Sequence, residues 1–338
     1  MKNSYTTIIG KIEEGIKAAQ AKEIDYKELF SSAALNGKNE FLFFIKPEIT
    51  LDSADINLRP ILELILSKIQ EFNFEIVNIK ILSASYLDKH DIIARHYGVI
   101  NKISRNAGEN LSELAKDKFY QLFGKKVEQV TLLGSLEFLK EYPEFSPLAL
   151  DHLWQNAGFE KLAGGTYVQQ LKLDGEEVFL INGFHPRQLV HFTNPGRSIV
   201  TFTLKSDTDW DIARGRFIGA TDPSKAEKGS IRNELLNNKE KYGLSTVSSS
   251  WNGVHLSAGP VEGLVELIRY NSNYDVSDLK SYADYSLGKL LLENFPGEQV
   301  DNILNNINVN YQSTEISVFD LTEEKNSEEA IDLLKQII

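Results

Sequence analysis

The sequence predicts a mixed α/β (α+β) protein with a central antiparallel or mixed sheet and helices on one face. Short apolar runs rich in β-forming residues, such as 41–45 and 198–204, are typical of buried strands. Stretches with apolar residues at helical spacing alternate with them, as over 60–72. With the central part of the chain set aside, the order of elements is β-α-β-α, repeated once. The split βαβ, or ferredoxin-like, arrangement is the usual solution for that order.

Proline and glycine mark several boundaries: Pro60 and Pro260 open helices, and Asn36-Gly37 ends the first one. Helices are predicted at 4–35, 60–72, 85–97, 111–123, 135–142, 147–155, 210–217, 260–270, 278–294, 298–306 and 326–337. Strands are predicted at 41–45, 74–82, 166–173, 177–181, 198–204, 253–257 and 315–319. A hairpin through Asp174-Gly175 joins the third and fourth of these strands. A long polar loop is predicted at 219–251.

This pattern divides the chain into four parts. Residues 39–98 and 184–270 form the predicted core, and 99–183 are a helical and hairpin insertion within it. Residues 1–38 are predicted to be an N-terminal helical extension, and 271–338 a C-terminal extension.

The composition is that of a globular protein, with 42% hydrophobic and 25% charged residues in a chain of 338. The formal net charge of −12 argues against broad nucleic-acid binding, which needs a basic footprint. The sequence contains no cysteine, which excludes disulfides and thiolate metal sites. No apolar run approaches the roughly 20 residues needed to span a bilayer. We therefore expect a cytoplasmic protein that binds neither nucleic acid nor membrane.

The strongest chemical signal is a histidine at the end of a predicted strand. His255 follows Asn252-Gly253-Val254, and Glu266 comes eleven residues later on the helix that Pro260 opens. A nucleophilic histidine needs a neutral ring with one nitrogen held by an acceptor, and Glu266 is placed to be that acceptor. Ser257 is a candidate donor to a phosphate oxygen or a leaving group. The alternative is that His255 is a packed or surface histidine and Glu266 a solvated helix residue.

Two further segments are suited to binding phosphate. Gly219-Ala220-Thr221-Asp222-Pro223 and Gly229-Ser230-Ile231-Arg232 combine loop-forming residues with hydroxyls and a guanidinium. Lys46 lies at the end of the first core strand, where a lysine can meet a phosphate as a point charge. The alternatives are an ordinary polar surface loop and a solubilising lysine. The sequence has no Walker motif.

Taken in order, these segments resemble the nucleoside diphosphate kinase family. The resemblance covers two blocks, 39–98 and 184–270. It consists of Phe44-Ile45-Lys46-Pro47, Phe74-Glu75-Ile76-Val77 with Leu82-Ser83-Ala84-Ser85, Arg95-His96-Tyr97, Phe184-His185-Pro186 with Leu189-Val190, Gly219-Ala220-Thr221-Asp222-Pro223, Gly229-Ser230-Ile231-Arg232, and Asn252-Gly253-Val254-His255 with Ser257 and Glu266.

The resemblance implies a role for each matching residue. His255 would be the phosphorylated histidine and Glu266 the carboxylate that orients it. The other residues implied in catalysis are Lys46, Ser257 and Tyr97. The residues implied in nucleotide binding are Phe184 stacked on the base, Leu189 beside it, Thr221, Arg232 and Asn252. An arginine of the family does not align cleanly, and Arg214 and Arg216 flank its expected place.

The activity that the resemblance implies is phosphoryl transfer from a nucleoside triphosphate to a nucleoside diphosphate through phosphohistidine. Mg²⁺ would be bound mainly through the nucleotide phosphates, so no dedicated metal ligands are expected in the protein. The family also implies a homo-oligomer.

Two other functions stay open at this stage. Leu256 stands where the family usually has glycine, and Ala258 where it has an acidic residue. With the displaced arginines, these departures favour a nucleotide-binding module on the same fold, with weak or no turnover. The other is an interaction protein, in which the insertion and the C-terminal extension bind a partner.

Overall fold

The computed structural model describes residues 2–32, 37–51, 53–173 and 175–338. The strands are β1 (Tyr26–Ser31), β2 (Asn39–Ile45), β3 (Glu75–Ser83), β4 (Thr131–Gly134), β5 (Glu160–Ala163), β6 (Thr166–Leu173), β7 (Glu176–Ile181), β8 (Ser198–Ser206), β9 (Val254–Leu256), β10 (Asn308–Tyr311) and β11 (Thr314–Ser317). The α-helices are α1 (Lys2–Gln20), α2 (Leu58–Glu71), α3 (Ala84–Lys89), α4 (Ile92–His96), α5 (Gly98–Arg105), α6 (Ala107–Asn110), α7 (Glu113–Phe123), α8 (Ser135–Glu141), α9 (Pro147–Ala157), α10 (His185–Thr193), α11 (Trp210–Ile212), α12 (Ile231–Asn237), α13 (Pro260–Asn271), α14 (Ser286–Asn294), α15 (Gly297–Leu304), α16 (Val318–Thr322) and α17 (Ser327–Leu334). A π-helix covers Ala213–Ile218, and 3-10 turns cover Val127–Gln129 and Tyr282–Asp284.

The chain divides into two compact units, and the mixed α/β class predicted from the sequence is confirmed in both. The first unit comprises Met1–Tyr86 and Pro195–Ile338, and the second comprises Leu87–Asn194.

The first unit is built on a five-stranded sheet with the order β1-β3-β8-β2-β9. All four neighbouring pairs are antiparallel. The four strands that sequence analysis assigned to the core, β2, β3, β8 and β9, therefore lie in the spatial order second, third, first, fourth. A separate two-stranded ribbon, β10-β11, belongs to the C-terminal part of this unit.

The two faces of this sheet differ in chemistry. Apolar side chains on one face, among them Phe43, Ile79 and Phe202, form the main core with α1 and α2. Because side chains alternate along a strand, Phe44 and His255 point to the other face, which α13 covers. Polar groups are concentrated on that second face, where Phe44 lies directly between His255 and Thr201 in the register.

The second unit contains a four-stranded sheet with the order β4-β7-β6-β5. β4 and β7 are parallel, whereas the other pairs are antiparallel. The predicted hairpin strands are confirmed as β6 and β7, but Asp174 in their turn lies outside the described residues. No helix in the described part of the chain is both long enough and apolar enough to cross a membrane.

The prediction of one helix over 4–35 is wrong beyond Gln20. Residues Tyr26–Ser31 form β1, which pairs antiparallel with β3 along the edge of the sheet. Its hydrogen-bond partners lie some 50 residues away in the sequence, so local periodicity did not indicate it. Asn36, half of the predicted stop signal, lies outside the described residues.

Several other boundaries also differ from the predictions. The helix predicted at 85–97 is divided into α3 and α4 by Asp91, whose φ of 51° is left-handed. The predicted loop at 219–251 contains α12. The helix predicted at 278–294 begins only at Ser286, and the strand predicted at 315–319 ends at Ser317, where α16 follows.

Candidate functional site

His255 lies in the short edge strand β9, on the face opposite the main core. Its neighbours Val254 and Leu256 are fully buried in that core. Leu256 therefore points away from the imidazole and does not narrow the space beside it, as alternation along a strand requires. The imidazole stacks on Phe44, with ring centroids 4.5 Å apart and an interplanar angle of 20°. Phe44 thus sets the plane of the ring.

Glu266 holds one nitrogen of the imidazole. Its two carboxylate oxygens lie 3.0 and 3.1 Å from Nε2 of His255. Glu266 is carried by α13, which Pro260 opens, and its side chain is buried. A buried carboxylate at this distance selects the tautomer with hydrogen on Nε2, which leaves the lone pair on Nδ1.

Ser257 orients the carboxylate. Its hydroxyl donates to Oε2 of Glu266 at 2.5 Å, and it accepts from the backbone N–H of Leu42 at 3.2 Å. The side chain is fully buried, so the structure places this hydroxyl behind the carboxylate. The sequence had indicated a donor to phosphate or to a leaving group. Ser257, Glu266 and His255 form a continuous chain of polar contacts.

The electrostatics of this chain favour a neutral imidazole. Burial lowers the pKa of His255, whereas the charge and hydrogen bond of Glu266 oppose that shift, and Lys46 and Arg214 lower it further. Burial, followed by the charge of Glu266, raises the pKa of Glu262 one helical turn earlier. A neutral ring is the form of histidine that acts as a nucleophile.

Lys46 directly follows β2, next to β9. Its Nζ donates to Oδ1 of Asn252 at 2.7 Å, and both side chains are buried. Burial lowers the pKa of Lys46 to about 8, with Glu48 opposing the shift and Arg232 adding to it. Glu48 accepts the backbone N–H of Gly253 at 2.8 Å. These contacts join the start of β9 to the end of β2.

Arg232 is buried and bound to the backbone. Nη1 donates to the carbonyl of Gly219 at 2.8 Å, and Nη2 donates to the carbonyl of Val254 at 3.0 Å. The guanidinium therefore ties the start of the 219–230 loop to β9. In this arrangement its hydrogen bonds serve the scaffold of the site.

Arg214 and Arg216 lie in the π-helix that follows α11, a rare element that is frequent at functional sites. Arg214 donates from Nη1 to the carbonyl of Leu256 at 2.9 Å, so its guanidinium lies next to the histidine strand. Arg216 is exposed, and its Nε is 3.4 Å from Glu227. Of the two candidates, Arg214 is the one that the structure brings to His255.

Thr221 is exposed at the start of the loop. Its carbonyl accepts from Nδ2 of Asn252 at 3.1 Å, which anchors the loop to Lys46 through that asparagine.

Three predicted residues belong to the second unit. Phe184 is half-buried against Trp154 and Tyr167, with ring centroids 5.9 and 6.1 Å away. Tyr97 follows α4 and lies near the ring of His185. Leu189 lies in α10 and is half-buried. Within the first unit, the structure brings together Lys46, Arg214, Asn252, His255, Ser257 and Glu266.

Three residues of this site were not predicted from the sequence: Phe44, Glu48 and Glu262. Phe44 is directly opposite His255 in the register of β2 and β9. That pairing could have been found only from the strand order. Glu262 is one helical turn before Glu266, and this spacing is visible in the sequence.

No family model matches the chain, and no curated protein matches it. Among solved structures, the crystal structure of an NDP kinase from Pyrobaculum aerophilum is similar, with 19% identity and a TM-score of 0.34. The similarity covers 72% of this chain and 99% of that one. A TM-score this low assigns neither fold nor family, so the function has to be inferred from the residues of this chain.

Proposed function

We propose that the first unit transfers a phosphoryl group from a nucleoside triphosphate to a nucleoside diphosphate through a phosphohistidine at His255. The observation that carries this proposal is the chain from Ser257 through Glu266 to Nε2 of His255. A buried carboxylate that fixes one imidazole nitrogen is the arrangement that a nucleophilic histidine requires. A buried imidazole that only fills space also needs an acceptor for its N–H, but a neutral acceptor is enough for that.

The reacting nitrogen would be Nδ1, because Nε2 is the one that Glu266 holds. Nδ1 attacks the γ-phosphorus, the bond from that phosphorus to the bridging oxygen breaks, and the nucleoside diphosphate leaves with the electron pair. The positive charge that develops on the imidazole is stabilised by Glu266 through the Nε2 proton. A terminal oxygen of the second diphosphate then attacks the phosphohistidine and regenerates the neutral ring.

Charge stabilisation would come from Lys46 and Arg214. Both cations lie near enough to His255 to lower its pKa. In phosphoryl transfer, catalysis rests mainly on positioning and on such charges. Thr221 adds a hydroxyl at the mouth of the loop, while Arg232 and Asn252 hold the loop and Lys46 in place.

Neither of the two carboxylates near His255 would be a main ligand of Mg²⁺, which would instead be bound mainly by the nucleotide and water. Glu266 is engaged by His255 and Ser257, and the raised pKa of Glu262 favours its protonated form. The ion would neutralise phosphate charge when bound.

The strand order of the first unit supports this proposal. The spatial order second, third, first, fourth with antiparallel neighbours supports a ferredoxin-like split βαβ core, which we propose for this unit. The assignment of Phe184, Leu189 and Tyr97 to the base and the terminal phosphate stays a prediction, as does a homo-oligomeric state.

The second candidate is a nucleotide-binding module without turnover. It is favoured by Arg232, whose Nη1 and Nη2 each donate to a backbone carbonyl. A site with fewer phosphate-facing cations binds a nucleotide but stabilises the transition state less.

The deciding experiment is incubation of the protein with ATP labelled in the γ-phosphate. The proposal expects an acid-labile, base-stable label that is lost in His255→Ala. His152→Ala is the matched control, since His152 is exposed on α9, and it should keep the label.

Chase with unlabelled GDP separates the two candidates. Transfer of the label to GDP supports the kinase. ADP binding without any label on the native protein would refute the kinase and support the binding module.

A further inference from the structure

Residues Thr322–Lys325, here called the C-terminal strap, lie against the turn between β9 and α13. The backbone N–H of Glu324 donates to the carbonyl of Ala258 at 3.0 Å. Gly259 allows this close approach, because a Cβ there would lie 2.6 Å from the carbonyl oxygen of Thr322. The strap is thus in direct backbone contact with the segment that joins His255 to Glu266.

The far end of the strap is tied to the turn that carries Arg214. Asn326 follows the strap directly, and its Oδ1 accepts from the backbone N–H of Trp210 at 3.1 Å. Its Nδ2 donates to Asp209 at 3.0 Å. Trp210 is four residues before Arg214. The strap and Asn326 therefore contact both the segment that follows β9 and the segment that leads into the π-helix of Arg214.

The strap presents carboxylates to Arg214. Oε1 of Glu324 is 3.9 Å from Nε of that arginine, too far for a hydrogen bond but within the range of an ion pair. Glu324 has a φ of 57°, a left-handed conformation that L residues rarely adopt. Burial raises the pKa of the neighbouring Glu323 carboxyl, and Arg214 opposes that shift. An unfavourable backbone conformation therefore accompanies the placement of negative charge beside a cation of the site.

We propose that the strap is a built-in competitor for Arg214, which a phosphate group of the bound nucleotide must displace. Carboxylate and phosphate oxygens are equivalent partners for a guanidinium, so the two compete for the same charge. The half-exposed Glu324 at ion-pair distance is a weak partner, and a more highly charged diphosphate displaces it. The strap thereby lowers the affinity of the site for phosphates. This inference rests on the proposed function, because it assigns Arg214 to phosphate.

The test is the affinity for inorganic pyrophosphate, measured by calorimetry in native protein and in Glu324→Gln. Pyrophosphate carries the charge of a diphosphate but has no nucleobase, so contacts with a base do not contribute to the measured affinity. Glu324→Gln should bind about threefold more tightly than native protein, the size expected for a partly exposed ion pair. The difference should shrink at high salt. Glu293→Gln on α14 is the matched control, because it removes one exposed carboxylate elsewhere and should bind like native protein.

The outcomes separate the strap from the proposed function. In an Arg214→Gln background, Glu324→Gln should no longer change the affinity for pyrophosphate. In this double-mutant cycle, the effect of Glu324 depends on the presence of Arg214. Equal binding by native protein and Glu324→Gln would overturn the proposed competition between the strap and phosphate, but it would leave the proposed function unaffected. An equal gain in affinity in Glu293→Gln would indicate a general effect of net charge and would also overturn the proposed competition. Absence of pyrophosphate binding in every variant overturns both.

Discussion

Ser257→Ala tests the polar chain behind His255 through stability alone. The hydroxyl has one hydrogen, and the 2.5 Å contact with Oε2 of Glu266 assigns that hydrogen to the carboxylate. The backbone N–H of Leu42 then uses the same oxygen as an acceptor at 3.2 Å. The variant removes both contacts and leaves a buried carboxylate with one donor fewer.

The expected loss is about 2–3 kcal/mol in the free energy of unfolding. A hydrogen bond to a charged group contributes about 1.5–3 kcal/mol, and the longer contact with Leu42 adds less. Because the side chain is fully buried, water cannot replace either partner. The loss is therefore well above that of a surface substitution.

The assay is urea unfolding followed by ¹⁹F NMR of 5-fluorotryptophan, which resolves the three tryptophans. Trp210 reports on the first unit, since its Nε1 donates to the carbonyl of Ser257. Ser198→Ala is the matched control: Ser198 is also fully buried in this unit, and its Oγ has no hydrogen-bond partner among the described residues. A loss in Ser257→Ala no larger than in Ser198→Ala would refute the reasoning.

Two further predictions concern titration. Burial lowers the pKa of Lys80 to about 8 from its ordinary value of 10.5, so between these pH values the unfolded chain binds more protons and the free energy of unfolding rises with pH. Lys80→Met should remove about 1–2 kcal/mol of that rise between pH 8 and 9.5 in urea unfolding, and an unchanged slope would contradict the burial of this amine. Glu266→Gln should lower the pKa of His255 further, because the carboxylate is the group that raises it. NMR titration of the imidazole measures this, and a raised pKa in the variant would show that Glu266 does not stabilise the protonated ring.

The accuracy of the sequence-based predictions followed the range of the interactions involved. β2 and β8 were predicted because each is a buried apolar run bounded by turn residues, and β3 was predicted from the alternation of its residues. β1 was predicted as helix, since its pairing with β3 depends on residues far along the chain. Asp91 divides α3 from α4 through a backbone conformation that spacing alone does not reveal.

The candidate site shows the same division. Glu266 was placed beside His255 from helix spacing, and the distances of 3.0 and 3.1 Å agree with that placement. Ser257 was predicted to face the ligand but faces the carboxylate. The choice between Arg214 and Arg216 was open in the sequence, and only the π-helix shows which one reaches the strand of His255.

The sequence by itself determined the elements that carry the chemistry: a short strand bearing the histidine, a proline-opened helix bearing the glutamate, and a lysine directly after the first core strand. The alternation of side chains along a strand and the spacing of apolar residues along a helix are local properties. They are therefore the same in any fold that buries the apolar face. The tertiary structure alone decided that Leu256 enters the core and that Arg232 binds the carbonyls of Gly219 and Val254. The physical reason is that buried polar groups must find partners, and strand order and packing determine which groups become neighbours.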